Sequence, residues 1–168
     1  MGCGKSTAGA ALAARLGVDF IDLDQALEAA SGRTIEAWFE TQGEREFRAA
    51  ERAELAAVLD RFHARGAGGV IALGGGAFAD PATQGLLAGR TRTVWLDVPL
   101  SAIRTRIVAD GGRPLYQDPT SVARLFTARL AAYERADVRI KGDDAPERVV
   151  ERILAALAAP PGLQAGRD

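Results

Sequence analysis

Cysteine, histidine and methionine occur once each in the 168 residues. Cys3 has no partner with which to close an internal disulfide. A lone histidine, His63, argues against a zinc site built from nitrogen and sulfur ligands. Long apolar runs are missing too. No stretch of about 18 apolar residues is available to cross a bilayer, and the N-terminus lacks the charged-then-apolar layout of a signal peptide. A cytoplasmic protein with no membrane partner is expected. Positive charge is not in excess either: 21 Lys and Arg stand against 22 Asp and Glu, for a net charge of −1. That balance argues against a nucleic-acid surface dominated by basic residues, while leaving room for a local arginine cluster around a small anion. No internal repeat, linker or low-complexity segment separates a second domain. With 48% hydrophobic and 26% charged residues, the chain has the composition of one soluble globular domain with a sizeable core. Residues 1–158 are expected to form that domain, as a monomer, and 159–168 a flexible tail.

What is present begins at once. Gly2-Cys3-Gly4-Lys5-Ser6-Thr7 reads as the second half of a phosphate-binding loop, G-x-x-x-x-G-K-[ST]. Glycines without a Cβ let successive backbone N–H groups turn toward phosphate oxygens. The Lys5 ammonium can reach β- and γ-phosphates, and the Ser6 hydroxyl is a hard oxygen ligand for Mg²⁺. The Ala- and Leu-rich run that follows is helix-forming, so its positive dipole end would face the same phosphates. The first glycine of the motif, and the apolar strand that delivers the chain into such a loop, would lie before Met1. The chain as written is therefore expected to lack the first, central strand of its sheet and to be marginally folded.

Helices and strands then alternate. The spacing predicts a helix over 4–16 with Leu12 and Leu16 facing a core, a short strand over 18–22 and helices over 25–30, 35–41 and 44–64. Val70-Ile71-Ala72-Leu73 is a continuous apolar run, expected as a parallel strand buried on both faces. Further helices are expected over 80–87, 99–108, 121–133 and 146–157, with strands over 93–98 and 138–140. Asp80-Pro81 supplies an N-cap and a proline at the first helical position. Asp110 to Tyr116 cannot hold regular structure and reads as a mobile loop. Alternating strands and helices imply an α/β domain whose parallel sheet is flanked by helices.

Ligands of such sheets bind at the carboxyl ends of the strands, and the chemistry-bearing residues fall there. Asp22 and Asp24 follow a strand with one residue between them; an extended backbone would point both carboxylates to one side. One could hold a water of the magnesium shell while the other meets a substrate hydroxyl. Gly74-Gly75-Gly76 follow the apolar strand directly and would let a ligand approach backbone N–H groups. Arg48, Arg106, Arg113 and Arg129 offer planar forks for carboxylate or phosphate. His63 reads as a surface residue.

Taken together these residues resemble the shikimate kinase family over almost the whole chain. The matching pieces are the Gly2-to-Thr7 loop, Phe20-Ile21-Asp22-Leu23-Asp24, Gly43-Glu44-Arg45-Glu46-Phe47-Arg48, Leu73-Gly74-Gly75-Gly76, Gly112-Arg113-Pro114-Leu115, and Arg129 with Tyr133. The resemblance implies a three-layer P-loop kinase fold with a lid over about 109–119. It implies that Asp24, Arg48, Gly75 and Arg129 bind shikimate, whose carboxylate the two arginines would hold. Gly2, Cys3, Gly4, Lys5, Ser6, Thr7 and Arg113 would bind ATP, with Arg106 near the nucleotide. Ser6, and Asp22 through water, would serve Mg²⁺. Lys5, Asp24 and Arg113 would carry the catalysis. Ala131 stands where the family usually has proline, and Asp143-Asp144-Ala145-Pro146 occupy the expected adenine loop without an arginine.

The reaction so implied is transfer of the ATP γ-phosphoryl group to the 3-hydroxyl of shikimate, in aromatic amino-acid biosynthesis. Two rivals are a related small-molecule kinase, such as a gluconate kinase, and a nucleotide-binding protein with little activity because half its phosphate loop is missing.

Overall fold

The structure, a computed structural model, describes residues 2–109 and 119–159. It comprises two compact units, Ala13–Thr91 and Met1–Leu12 with Arg92–Asp168. The division falls within the first helix, α1 (Lys5–Leu16). Ala8, Leu12 and Ala13 are buried on this helix, whereas Leu16 is 46% exposed. Leu16 thus does not face a core as expected: it lies in the last turn, where the Val18 N–H already bonds back to the Ala13 carbonyl and the chain has turned away.

The Ala13–Thr91 unit continues with β1 (Asp19–Asp22), α2 (Leu23–Ser31), α3 (Ile35–Thr41), α4 (Gly43–Ala64), β2 (Gly69–Ala72), α5 (Gly75–Ala79) and α6 (Pro81–Leu87). The two strands run parallel with Phe20 opposite Val70 and Asp22 opposite Ala72. α2 begins on the Asp22 cap and ends at Gly32, in the left-handed region at φ 66°, with its N–H returned to the Glu28 carbonyl. Thr34 caps α3 through the Ala37 N–H. α4 buries Phe47, Glu51, Leu55, Val58, Leu59 and Phe62, a stripe at helical spacing along one face. Leu55 and Leu59 meet Leu23 and Leu87 in the core, with Ile71, Leu73 and Phe78 packed around them. Each such side chain contributes about 1.5–3 kcal/mol when fully buried. At the far end of α4 the Phe62 ring fills the space that a Cβ on Gly69 would occupy.

The other unit contains β3 (Val94–Asp97), α7 (Leu100–Ala109), α8 (Pro119–Tyr133), β4 (Val138–Lys141) and α9 (Pro146–Ala158). β3 and β4 are parallel, Trp95 facing Arg139 in the register. Arg139 donates to Asp97 from Nε at 3.0 Å and Nη2 at 2.7 Å, and its guanidinium stacks 4.6 Å from the Trp95 ring centre. Thr93 and Asp137 lock the start of the pair: the Asp137 carboxylate accepts from the Thr93 N–H and hydroxyl, both at 2.7 Å. α9 packs on β4 and buries Val149, Val150 and Ile153.

The strand readings were correct in place and too strong in burial. Val70, Ile71, Trp95 and Leu96 are half-buried, because among the described residues each strand has one hydrogen-bonded neighbour. The lid expected over about 109–119, apart from its end residues, and the tail from 160 onward lie outside the described residues.

Candidate active site

The phosphate loop keeps the geometry its glycines suggested. Gly2 and Gly4 adopt φ of 51° and 82°, a region that side chains rarely enter and glycine enters freely. The Gly4 carbonyl accepts from the Ala8 N–H at 2.9 Å, the first rung of α1, so Lys5, Ser6 and Thr7 form its first turn. The helix is 12 residues long and carries no acid in that turn, leaving its positive end undiminished toward the loop. Lys5, Ser6 and Cys3 are half-buried and Thr7 is exposed. Left-handed glycines, an ammonium and a hydroxyl beside a helix N-terminus suit the β- and γ-phosphates of a nucleotide and a hard cation between them.

A second cluster forms at the C-terminal ends of β1 and β2. The expected extended Asp22–Asp24 pair is not what forms. The chain becomes helical at Leu23, and Asp22, as the cap, accepts the Asp24 N–H at 3.1 Å. An N-cap carboxylate satisfies an amide that helix geometry leaves without an acceptor, and that outweighs extension here. Asp22 is buried, and Asp24 sits half-buried in the first turn of α2. The three glycines are not a bare turn either: Gly74 caps the short helix α5, into which Gly75 and Gly76 are built.

Asp24 Oδ1 and Glu51 Oε1 each stand 3.2 Å from the place a Cβ would take on Gly74. The Arg48 guanidinium lies where a Cβ on Gly76 would be. One glycine admits two carboxylates, and the other admits the guanidinium that pairs with Glu51. Arg48 donates from Nη1 to Glu51 Oε2 at 2.6 Å and is 3.6 Å from the exposed Glu44. Its guanidinium also lies 5.0 Å from the Phe47 ring centre, and Phe47 in turn packs on Phe39.

Glu51 is 2% exposed. Burial pushes its carboxyl above the ordinary glutamate range, and Asp24 and Asp80 add to that; the hydrogen bond and charge of Arg48 oppose it without prevailing. Sequence reading passed over Glu51. The available signal was its position: an acid in the apolar i, i+4 stripe Phe47–Glu51–Leu55 must be partnered.

Among the expected residues, Asp24, Arg48 and Gly75 lie on elements that meet here. Arg129 is half-buried on α8, in the other unit. Arg106 belongs to α7, its side chain outside the described residues, as is all of Arg113. His63 is exposed. Asp144, half-buried just before α9, is held below the usual aspartate range by the Ala145 N–H and by Arg152 and Arg148.

Parallel strands alternating with helices, and a glycine loop that runs into a helix at Lys5, define a phosphotransferase of the P-loop class. The chain belongs to the shikimate kinase family: the family model described as shikimate kinase matches residues 1–158. Shikimate kinase of Paramagnetospirillum magneticum is 41% identical over 161 residues, spanning 94% of this chain and 80% of that protein. The solved shikimate kinase of Aquifex aeolicus is 32% identical with a TM-score of 0.82, over 94% of this chain and 91% of the other. That of Acinetobacter baumannii, solved in complex with shikimate, has the same TM-score at 29% identity, over 94% of this chain and 88% of the other. The fold is accordingly that of a P-loop kinase, and the chain is an ATP-dependent phosphotransferase by family.

Proposed function

We infer that this protein transfers the γ-phosphoryl group of ATP to the 3-hydroxyl of shikimate. The observation that carries the reading is the seat of Arg48, whose guanidinium is held by Glu51 against Gly76, with the Asp24 carboxylate on the same glycine turn. A cation that recognises a carboxylate thus stands beside a carboxylate that can receive a hydroxyl. The names of the relatives and the bound shikimate of the Acinetobacter baumannii enzyme agree with that pairing.

In this mechanism Arg48, with Arg129, binds the shikimate carboxylate, and the first turn of α5 at Gly75 lies against the ring. Asp24 orients the 3-hydroxyl and accepts its proton as the oxygen attacks the γ-phosphorus and the bond to ADP breaks. The Gly2–Thr7 loop holds the phosphates, and Lys5 neutralises charge on the transferring group, helped by Arg113 and by Arg106 near the nucleotide. Such transfer asks the protein chiefly for position and charge. Ser6 and, through water, Asp22 would hold Mg²⁺, which would supply positive charge to offset that of the phosphates. Residues 1–158 act as one cytoplasmic, monomeric kinase domain.

ADP release measured with shikimate, with gluconate and with no acceptor tests the reading. Release should depend on shikimate. Equal release without acceptor, or a preference for gluconate, would overturn it.

A further inference from the structure

We propose that the ion pair between Arg52 and Asp80 is a positioning device for acceptor binding, anchoring the far end of α5 so that its glycine turn stays seated over Arg48. The proposal rests on the acceptor reading given above. Arg52 follows Arg48 by one helical turn, so both side chains leave the same face of α4. Arg52 Nη1 donates to Asp80 Oδ2 at 2.5 Å, 28 positions away in sequence. Asp80 is the joint between two short helices. It ends α5, donating its N–H to the Ala77 carbonyl at 3.2 Å, and it caps α6, accepting the Ala82 N–H at 3.1 Å. The buried Thr83 hydroxyl approaches the same carboxylate at 3.5 Å.

α5 has five residues, too few to persist by backbone hydrogen bonding alone. Its position must therefore come from what holds its ends. At the near end, Gly74 and Gly76 pack against Asp24, Glu51 and Arg48. In the middle, Ala77 is fully buried, which leaves no slack for rotation. At the far end, Gln84 Nε2 donates to the Phe78 carbonyl at 2.9 Å, and Arg52 ties Asp80 to the helix that bears Arg48. A shift of α5 on releasing that tie is transmitted to Gly76, where the Arg48 guanidinium has no spare room.

The ion pair and the helix cap can be separated. Asp80→Asn keeps an excellent N-cap for α6 and removes only the charge toward Arg52; Arg52→Met removes the pair from the other side. Each is expected to raise the shikimate KM about fivefold, the scale of a partly exposed ion pair, with kcat and the ATP KM unchanged. Asn and Met together should do no more than the stronger single change, as partners in one interaction do. Arg52→Lys, which retains the charge, should stay close to the parent protein.

An unchanged shikimate KM in Asp80→Asn, a parallel rise in the ATP KM, or full multiplication of the two effects would overturn the proposal. If Arg52→Met does not fold, the comparison of Asp80→Asn with Arg52→Lys decides alone. Failure of the parent protein to turn over shikimate would instead strike the acceptor assignment, and it is visible before any variant is assayed.

Discussion

The Arg48 guanidinium is held on one side by the buried Glu51 carboxylate and bounded on another by Gly76. Because burial raises the Glu51 pKa above its ordinary value, protonation of this group favours the native state. That benefit is complete below the ordinary glutamate range and is lost as pH rises through the raised value. Ionisation of Glu51 is therefore a cost to stability, retained for its hold on Arg48. Glu51→Gln mimics the neutral form, so its melting temperature at neutral pH should be no lower than the parent's. Its shikimate KM should rise about tenfold, since a charge-assisted partner is gone. In the parent protein the same KM should climb as pH falls toward the glutamate range, and in the variant it should be flat. A destabilised variant with unchanged KM would show that Glu51 is structural only. The sequence disclosed Arg48 through its motif and concealed Glu51, because an acid declares itself only once the helix face it occupies is known to be buried.

At the scale of elements, most helices and strands stood where periodicity and capping residues put them. Asp80 caps α6 as read, and Thr34 caps α3. α5 was invisible because Gly-Gly-Ala-Phe-Ala carries no helix signal and glycine opposes helix by about 1 kcal/mol; packing against α4 and α6 overrides that preference. The extended Asp22–Asp24 spacing was misread for a related reason, since a strand-end acid that caps the next helix, as Asp22 does, cannot be told from one that continues the strand. Gly76 now offers a direct test. Its backbone is helical, so alanine should favour α5 locally, yet the new Cβ would displace the Arg48 guanidinium. Gly76→Ala should leave the thermal melt unchanged or higher and raise the shikimate KM at least tenfold, the scale of a lost charged hydrogen bond. A normal KM would mean that Arg48 does not bind the acceptor from this position.

For the whole molecule, the order of helices and strands carried the fold class, and Gly-Lys-Ser-Thr at a helix start carried the phosphate site. Apolar strand runs said less than they promised: the composition of Val70–Leu73 reads as burial on both faces, whereas Val70 and Ile71 are half-buried. Composition reports what a strand can bury, and pairing decides what it does bury. Arg106 and Arg113 were legible only as members of a pattern, because a single arginine carries no functional signal of its own. The central claim is that phosphate moves from ATP to one hydroxyl of one acceptor. Phosphorus–proton NMR of the product formed from ATP and shikimate tests it most directly. The account predicts a single phosphomonoester coupled to the proton on C3, formed in step with ADP. Phosphate on another hydroxyl, or inorganic phosphate alone, would contradict it.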